Sequence, residues 1–399
     1  MCSAYVPIVK PRFARTSFSA LATIIRWGTF ACLALVSTIS VANVEDDIAA
    51  FNGGKFSAAL KTLRPIADAG DPIAQCYVAR LFNAATGGVR RDVALTKQYA
   101  ERALRGLTTR ADQGVAYAQA CLSVLRSSSN YLSEPNLEAS LQLARLAAEQ
   151  GNADGQRVLA GKFQRGIGIK RDYRQAYQWL EKASRGGSIH AKGALAVALR
   201  NGWGVKKDES AAALQFRALA EAGYAFAQTE YANMLREGTG VEQDYVRARQ
   251  WYERAAAQFD TRAQNDLGYM YESGSGVSSN PVLASEWYQR SADQGNSTAQ
   301  AHLGRLYLSG RGVVKDETKG LDFLRASADQ NNARGQYYLG RALERGNGIP
   351  ADTVQALAWY RKAAARSDED AAAAIKRLTG KGPAETTSAE QKVEAIGEN

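Results

Sequence analysis

The sequence is poor in the residues that most often build metal and catalytic sites. Its 399 residues include only two histidines, His190 and His302, and four cysteines. The histidines lie at different positions of a 36-residue repeat, and no spacing of His and Cys typical of a zinc site can be assembled. Nor are a nucleophile, a base and an orienting residue grouped in the sequence. We therefore predict no metal, no cofactor and no catalytic residue.

Proline and unbalanced charge are also scarce. There are 8 prolines, and 45% of the chain is apolar, a composition that suits closely packed helices. The formal net charge is +10, but residues 1–42 carry four basic groups and no acidic one, so the remainder carries +6. That excess is modest, and no long basic run interleaved with aromatic residues is present, which argues against nucleic-acid binding.

The first 42 residues are typical of an export signal. Residues 1–26 are basic, residues 27–41 are apolar, and the segment ends in Ser40, Val41 and Ala42, a Ser-x-Ala cleavage site. The apolar run is shorter than the ~20 residues that a transmembrane helix needs. We predict a signal peptide and a periplasmic or secreted protein. An uncleaved inner-membrane anchor, or a start codon placed too early, is the alternative, because the basic segment is unusually long.

Two cysteines follow this segment. Cys76 and Cys121 lie at core-like helical positions in successive repeats, whereas Cys2 and Cys32 lie in the leader. Export to an oxidising compartment would permit a disulfide between Cys76 and Cys121, although their positions within the repeat differ by one residue. The alternative interpretation, which we favour, is a pair of small buried hydrophobic residues.

A Gly-x-Gly pair returns six times at a constant interval of 36 residues. A fixed period of this size is the signature of a stacked-repeat solenoid. Since glycine accepts the left-handed backbone of a helix C-cap, each pair is predicted to end one helix and aim the next. The pairs are Gly166 and Gly168, Gly202 and Gly204, Gly238 and Gly240, Gly274 and Gly276, Gly310 and Gly312, and Gly346 and Gly348.

Two further positions recur within the unit. A residue that can cap a helix N-terminus follows the second glycine by four positions, and a catalytic carboxylate would not be repeated in this way. An aromatic pair follows in the second helix, where we predict core packing between repeats and not a ligand platform. The capping residues are Asp172, Asp208, Asp244, Asp316 and Asp352, with Asn280 in one unit, and the tryptophans are Trp179, Trp251, Trp287 and Trp359.

These patterns divide the chain. Two insertions near Leu107 to Ala111 and Ser127 to Pro135 are predicted to be surface loops, either elements of specificity or neutral variation. The predicted segments are the signal peptide (1–42), irregular N-terminal helical repeats (43–152), six regular repeats (153–370), a capping helix (371–378) and a disordered tail (379–399).

The assembled unit, with its glycines, Asp and Trp-Tyr at fixed spacing, resembles the Sel1-like repeat family, relatives of the tetratricopeptide repeat. The best copies are Ala227 to Ala256 and Ala263 to Ala292. The resemblance covers about residues 44–378 and is degraded in the first three units. It implies an all-α, right-handed α-solenoid that recruits other proteins, frequently in bacterial secretion, envelope signalling or exopolysaccharide production. A branch with paired cysteines has been linked to penicillin binding or hydrolysis, but the regular units here contain no cysteine.

Side chains of the first helices are predicted to line the concave face. Counted from the first residue of each unit, the residues at offsets 2, 6 and 10 form one variable ridge, where Tyr and Arg are the residue types most often found in binding hot spots. An ordinary solvated ridge is the alternative. The candidate partner-binding residues are Asn233, Tyr269, Arg305, Tyr337 and Arg341.

A glutamine recurs beside this ridge, at offset 1. Its constancy indicates a hydrogen bond between repeats and not partner selectivity. The glutamines are Gln75, Gln119, Gln156, Gln228, Gln264, Gln300 and Gln336.

The sequence thus predicts an exported, non-enzymatic scaffold or regulator whose partner is another protein, with envelope association through the N-terminal segment. An exopolysaccharide or envelope-assembly component is the first alternative. An enzyme acting on cell-wall or β-lactam substrates is the second.

Overall fold

The structure, a computed structural model, describes residues 44–84 and 87–380. The chain divides into two units, Met1–Asp46 and Asp47–Asn399, and the helical repeats lie in the second. The described residues form nineteen α-helices and no strand. The first helix, α1, spans residues 44–52. The others are α2 (Phe56–Asp68), α3 (Pro72–Ala84), α4 (Val93–Asp112), α5 (Ala116–Leu125), α6 (Leu137–Glu149), α7 (Ala153–Arg165), α8 (Tyr173–Arg185), α9 (Ile189–Asn201), α10 (Glu209–Glu221), α11 (Ala225–Glu237), α12 (Tyr245–Ala257), α13 (Thr261–Ser273), α14 (Pro281–Ala292), α15 (Ser297–Ser309), α16 (Glu317–Asp329), α17 (Ala333–Arg345), α18 (Thr353–Ala364) and α19 (Glu369–Thr379).

Consecutive helices pack as pairs from α3–α4 to α17–α18, and each pair packs on the next. This arrangement confirms the expected all-α solenoid. First helices of neighbouring pairs also contact each other directly, as in α3 with α5, α5 with α7, and α15 with α17. The first helices therefore form the inner layer of the stack, and the second helices form the outer layer.

The two glycines of each pair have different tasks. Gly238 adopts φ 73° as the C-cap of α11, and its N–H donates to Met234 O, as a left-handed cap requires. Gly240 lies against the preceding repeat: a β-carbon there would be 2.3 Å from the Glu209 carbonyl oxygen, at the start of α10. The first glycine ends the helix, and the second allows two repeats to approach closely.

The recurring Asp residues cap the second helices, as predicted. Asp244 Oδ1 accepts from the Arg247 N–H at 2.8 Å, and Asn280 makes the equivalent bond to Leu283. The same side-chain cap is present at Asp172, Asp208, Asp316 and Asp352.

The second member of each aromatic pair is buried as predicted, and the tryptophans pack at the edge of the core, as Trp179 and Trp359 do. Tyr252 and Tyr288 are fully buried, whereas Trp179, Trp251, Trp287 and Trp359 are half-buried. Each tryptophan is covered by a cation three residues later in the helix, as in Lys182 over Trp179 at 4.0 Å and Arg254, Arg290 and Lys362 over the others. The second member of each pair thus takes the buried position, and the tryptophan beside it lies partly in solvent.

The recurring glutamines form the predicted inter-repeat hydrogen bonds. Gln264 Nε2 donates to Ala256 O at 3.2 Å, and Gln264 Oε1 accepts from Gln294 Nε2 at 2.9 Å. The first bond joins two repeats and the second lies within one repeat, and together they satisfy both ends of a near-buried amide.

The two cysteines are joined, contrary to the interpretation we favoured. Cys76 on α3 and Cys121 on α5 form a disulfide with a Cα–Cα distance of 6.1 Å, and both residues are fully buried. The one-residue difference in repeat position does not prevent this contact, because α3 and α5 are neighbours in the inner layer.

The N-terminal and C-terminal predictions meet the structure only in part. Leu107 to Ala111 are not a loop, since they extend α4 to 20 residues, whereas Ser127 to Pro135 connect α5 to α6. Thr379 ends α19 and Gly380 caps it. The signal peptide, its cleavage site, Cys2, Cys32 and the rest of the tail lie outside the described residues. No helix in the described ranges is long and apolar enough to cross a membrane.

Candidate partner-binding face

The N-terminal part of the inner layer is covered by α1 and α2, the first two helices of the described chain. The ring of Phe51 on α1 lies 5.5 Å from that of His190 on α9. Phe56 on α2 lies 5.3 Å from His190 and 6.5 Å from Tyr224, the residue that precedes α11. The α1–α2 pair therefore packs across the N-terminal ends of first helices that are more than 130 residues away in sequence.

A buried ion pair lies beside this aromatic cluster. Both Arg80 on α3 and Asp154 on α7 are almost completely buried, and their side chains form a bidentate pair. Tyr77 donates to the same carboxylate at 3.2 Å, and Arg157 binds it at 2.8 Å. Burial alone would raise the pKa of Asp154, but attraction by Arg80 and Arg157 outweighs it and holds that pKa well below its usual range.

His190 is neutral in this setting. Burial lowers its pKa to about 3, and the nearby positive charges of Arg157 and Arg80 act in the same direction. Its Nδ1 is 2.8 Å from the Tyr224 hydroxyl. The α1–α2 pair thus packs on an uncharged imidazole at neutral pH.

This coverage corrects part of the predicted ridge. Gly193 and Thr229, at offset 2 of their repeats, are buried and do not face a groove. A β-carbon at Gly193 would lie 3.2 Å from the Tyr224 ring. At these two positions the residue meets packing partners and not solvent.

Two of the five candidate residues serve packing. The Tyr252 hydroxyl donates to Asn233 Oδ1 at 2.5 Å. The ring of Tyr337 packs on Tyr360, with centroids 5.8 Å apart. Tyr269 is the most accessible of the five, with 44% of its surface exposed.

The other two candidates, Arg305 on α15 and Arg341 on α17, lie in one cleft, which we call the arginine cleft. It has a volume of about 370 Å³ and lies between these two first helices. Its lining residues are Arg305, Leu308, Ser309, Tyr338, Arg341, Ala342, Arg345 and Asn347. The inner layer thus offers a cationic cleft with an aromatic ring at its wall.

The three arginines of the arginine cleft differ in their partners. Arg305 donates to Glu272 on α13 at 2.5 Å, and that carboxylate also accepts from the Tyr288 hydroxyl at 3.1 Å. Arg341 and Arg345 have no carboxylate within ion-pair distance among the residues that the structure describes. The positive charge of these two side chains is therefore available to a ligand.

The sequence pattern found part of this cleft. Arg345 lies on the predicted ridge, one turn beyond Arg341, but was not among the candidate residues. Its position beside Arg341 on the same ridge is the signal that could have found it. Tyr338 lies at offset 3, outside the ridge, and no sequence signal separates it from Tyr337. Its ring lies 5.9 Å from the Arg305 guanidinium, a contact that depends on the angle between α15 and α17.

No metal site competes with this interpretation in the described ranges, where no group of three or more His, Cys, Asp or Glu side chains could hold an ion. The second histidine, His302, stacks on Tyr288 at 4.9 Å. Burial and Arg305 lower its pKa to about 4, so it too is neutral at pH 7.

Comparison with known proteins places the fold in a family. The family model described as the Sel1 repeat matches eight successive stretches, residues 72–106, 117–152, 153–188, 190–224, 225–258, 261–296, 297–332 and 333–368. Together these stretches make up well over half of the chain.

Solved structures similar to this chain include the following two. One, a protective antigen present in uropathogenic Escherichia coli strains and displaying an SLR fold, is 36% identical over 70% of this chain, with a TM-score of 0.49. The chain spans 60% of that protein's length. A Sel1 repeat protein from Oxalobacter formigenes is 27% identical over 61% of this chain and 96% of its own, with a TM-score of 0.51. A comparison with curated protein sequences finds no match.

Proposed function

The chain belongs to the Sel1 repeat family, and we propose that it is an exported, non-catalytic scaffold that binds a protein partner on its inner layer. Sel1 repeat proteins are generally scaffolds for protein interaction. Their stacked helices present extended surfaces on which a partner segment can lie.

The arginine cleft is the observation that carries this proposal. Arg341 and Arg345 lack carboxylate partners within the described part of the chain, and a planar guanidinium binds carboxylates in a bidentate manner. Tyr338 adds a rigid ring, and Arg and Tyr are enriched where binding energy is concentrated. The partner segment that fits this cleft is acidic.

The position of the cleft also supports this choice of face. The α1–α2 pair already covers the N-terminal ends of α9 and α11, so a partner cannot contact the inner layer there without displacing Phe51 and Phe56. The inner surface of α13, α15 and α17 carries no such cover from the described residues, and Tyr269 extends it beyond the arginine cleft.

Export is supported by the leader and by the disulfide. Disulfides persist in oxidising compartments and are rare in reducing ones, and the Cys76–Cys121 bond is fully buried. A role in exopolysaccharide production or envelope assembly would use the same surface and differ only in the identity of the partner.

The test uses a charge reversal with a matched control. R341E/R345E reverses the two unpaired arginines of the cleft, and R174E/R185E reverses two exposed arginines of the outer helix α8. The three proteins are immobilised, envelope extract is passed over them, and bound proteins are quantified by mass spectrometry. The partner recovered is then purified and its Kd is measured by titration.

We expect R341E/R345E to weaken partner binding by about 100-fold, because two charge-assisted contacts become repulsive. The control should bind as the unaltered protein does. The proposal would be contradicted if R341E/R345E bound the partner as tightly as the unaltered protein does. It would also be contradicted if R174E/R185E lost as much affinity as R341E/R345E.

A further inference from the structure

The turn before α13 contains a residue that its backbone disfavours. Phe259 has φ 62°, a left-handed conformation that is unusual for a bulky side chain. The same turn position has positive φ in the other repeats, where smaller residues occupy it. Those residues are Gly70, Gly114, Gly151, Gly187, Gly223, Gly295, Asn331 and Ser367.

The Phe259 ring is not needed to connect the repeats. Glycine makes the same turn in six other repeats, and 38% of the Phe259 surface is exposed. A strained backbone and an exposed ring both disfavour this residue in the folded protein. Strain of this kind is concentrated at binding and catalytic sites.

The ring lines a cleft of about 500 Å³, which we call the Phe259 cleft. Its other walls come from α12, from α14 with Trp287 and Arg290, and from Arg90 in the α3–α4 loop. That loop is held in place by two contacts across the chain: Gly88 N–H donates to Gln258 O at 3.1 Å, and Arg91 donates to Gln294 O at 3.4 Å. Distant segments therefore build the cleft jointly, on a surface that does not include the arginine cleft.

The charged side chains that line the Phe259 cleft differ in whether they have an ion-pair partner. Glu253 is paired with Arg249 on the same helix, and Asp293 accepts from Gln289 at 2.7 Å. Arg90 and Arg290 have no carboxylate within ion-pair distance in the described part of the chain, and Arg290 lies over the Trp287 ring at 4.4 Å. Gln289 is neutral, so Asp293 keeps its negative charge, but Arg90 and Arg290 together outweigh it. The net charge left for a ligand is positive, and it borders two aromatic rings.

We propose that the Phe259 cleft binds a second peptide segment of a partner protein, in which an aromatic side chain contacts Phe259 and Trp287 and adjacent carboxylates pair with Arg90 and Arg290. Aromatic rings contribute offset-stacked or edge-to-face contacts at such sites, and arginines supply the charge complementarity. This contact would account for a phenylalanine at a turn position whose left-handed backbone favours glycine. The proposal does not depend on the arginine cleft.

The probe is a fluorescein-labelled peptide that alternates glutamate and tryptophan, and its counterpart alternates lysine and tryptophan. Binding is measured by fluorescence polarisation and melting temperature by calorimetry, on the full chain. The variants are F259G, R90E/R290E and R341E/R345E, with V314G as the control, because Val314 is an exposed apolar residue in another loop.

We expect the acidic peptide alone to bind, and F259G and R90E/R290E each to weaken it by about 10-fold or more. F259G should melt no lower than the unaltered protein, because glycine relieves the positive φ, and V314G and R341E/R345E should bind normally. The proposal is overturned if the unaltered protein binds both peptides equally or neither. It is also overturned if F259G binds like V314G, if R341E/R345E loses binding, or if F259G melts lower as it loses binding, since the ring would then be structural.

Discussion

At the residue scale, Asp154 carries a charge that the fold must keep paired. Its carboxylate is surrounded by Arg80, Arg157 and the Tyr77 hydroxyl, and almost none of its surface is exposed. The network ties α3 to α7 across an intervening repeat. Removing one partner of such a buried pair leaves an uncompensated charge, which is far more costly than losing a surface ion pair.

We therefore expect D154N to lower the free energy of unfolding by about 3–5 kcal/mol. The measurement is urea denaturation followed by circular dichroism. D322N is the matched control, because Asp322 is exposed and makes only an i,i+3 pair with Arg325, so its effect should be below about 0.5 kcal/mol. Similar midpoints for the two variants would show that the buried pair does not hold the fold.

His190 gives stability a dependence on pH. Its pKa is about 3 in the folded protein, below the ordinary value of about 6.5. As pH falls below about 6.5, His190 binds a proton in the unfolded chain but not in the folded chain. The free energy of unfolding therefore declines progressively from pH 7 towards pH 3.

Between pH 7 and pH 5 this single residue should account for a loss of at most about 2 kcal/mol. H190Q should remove that part of the pH dependence while leaving the part due to His302, whose pKa is about 4. Urea midpoints at the two pH values measure the difference. An unchanged difference between the midpoints in H190Q would rule out His190 as the titrating group.

Repetition decided which residue roles the sequence could reveal. The capping Asp residues and the bonded glutamines recur in nearly every unit, so each copy supported the others. Asp154 and Arg80 occur once and are 74 residues apart, and no local pattern joins them. The Cys76–Cys121 pair also occurs only once, so the sequence could suggest a disulfide there but could not establish it.

At the element scale, the second glycine of each pair sets the distance between repeats. Gly240 combines φ 70° with a carbonyl of α10 that would lie 2.3 Å from an added β-carbon. Gly223 has φ 90° but nothing within 4 Å of that position. The two sites therefore separate backbone strain from steric overlap.

We expect G223A to destabilise the array by about 1 kcal/mol, the cost of a left-handed alanine. G240A should cost about 2–4 kcal/mol, because overlap with a helix backbone adds about 1–3 kcal/mol to the same strain. Thermal melting compares the two variants. Equal melting temperatures would mean that the repeats can separate freely at Gly240, in conflict with a close approach of α10 to this glycine.

Helix positions within the regular units followed from the 36-residue period, but the irregular units did not follow their expected form. The extra residues at Leu107 to Ala111 lengthen α4 because they continue its apolar spacing, with Leu107 and Ala111 buried. An insertion in a repeat is therefore a loop only if its side chains lack that spacing.

At the scale of the whole molecule, the solenoid is not simply a row of neighbours. Stacked repeats normally contact only adjacent units, yet α1–α2 packs on α9, and the α3–α4 loop contacts the turns at Gln258 and Gln294. These contacts depend on the curvature of the stack, which no single repeat encodes. The sequence predicted a ridge on the first helices of the repeats. It could not predict that α1 and α2 of the same chain cover part of that ridge.

The arginine cleft is the surface proposed to meet a partner, and site-specific photo-crosslinking in cells tests that role most directly. A photoreactive residue is placed at Arg341 in the cleft or at Val354, 80% exposed on the outer helix α18, and adducts are identified by mass spectrometry. We expect a discrete protein adduct from position 341 and none from position 354. An adduct from position 354 without one from position 341 would contradict the assignment of the partner to the inner layer.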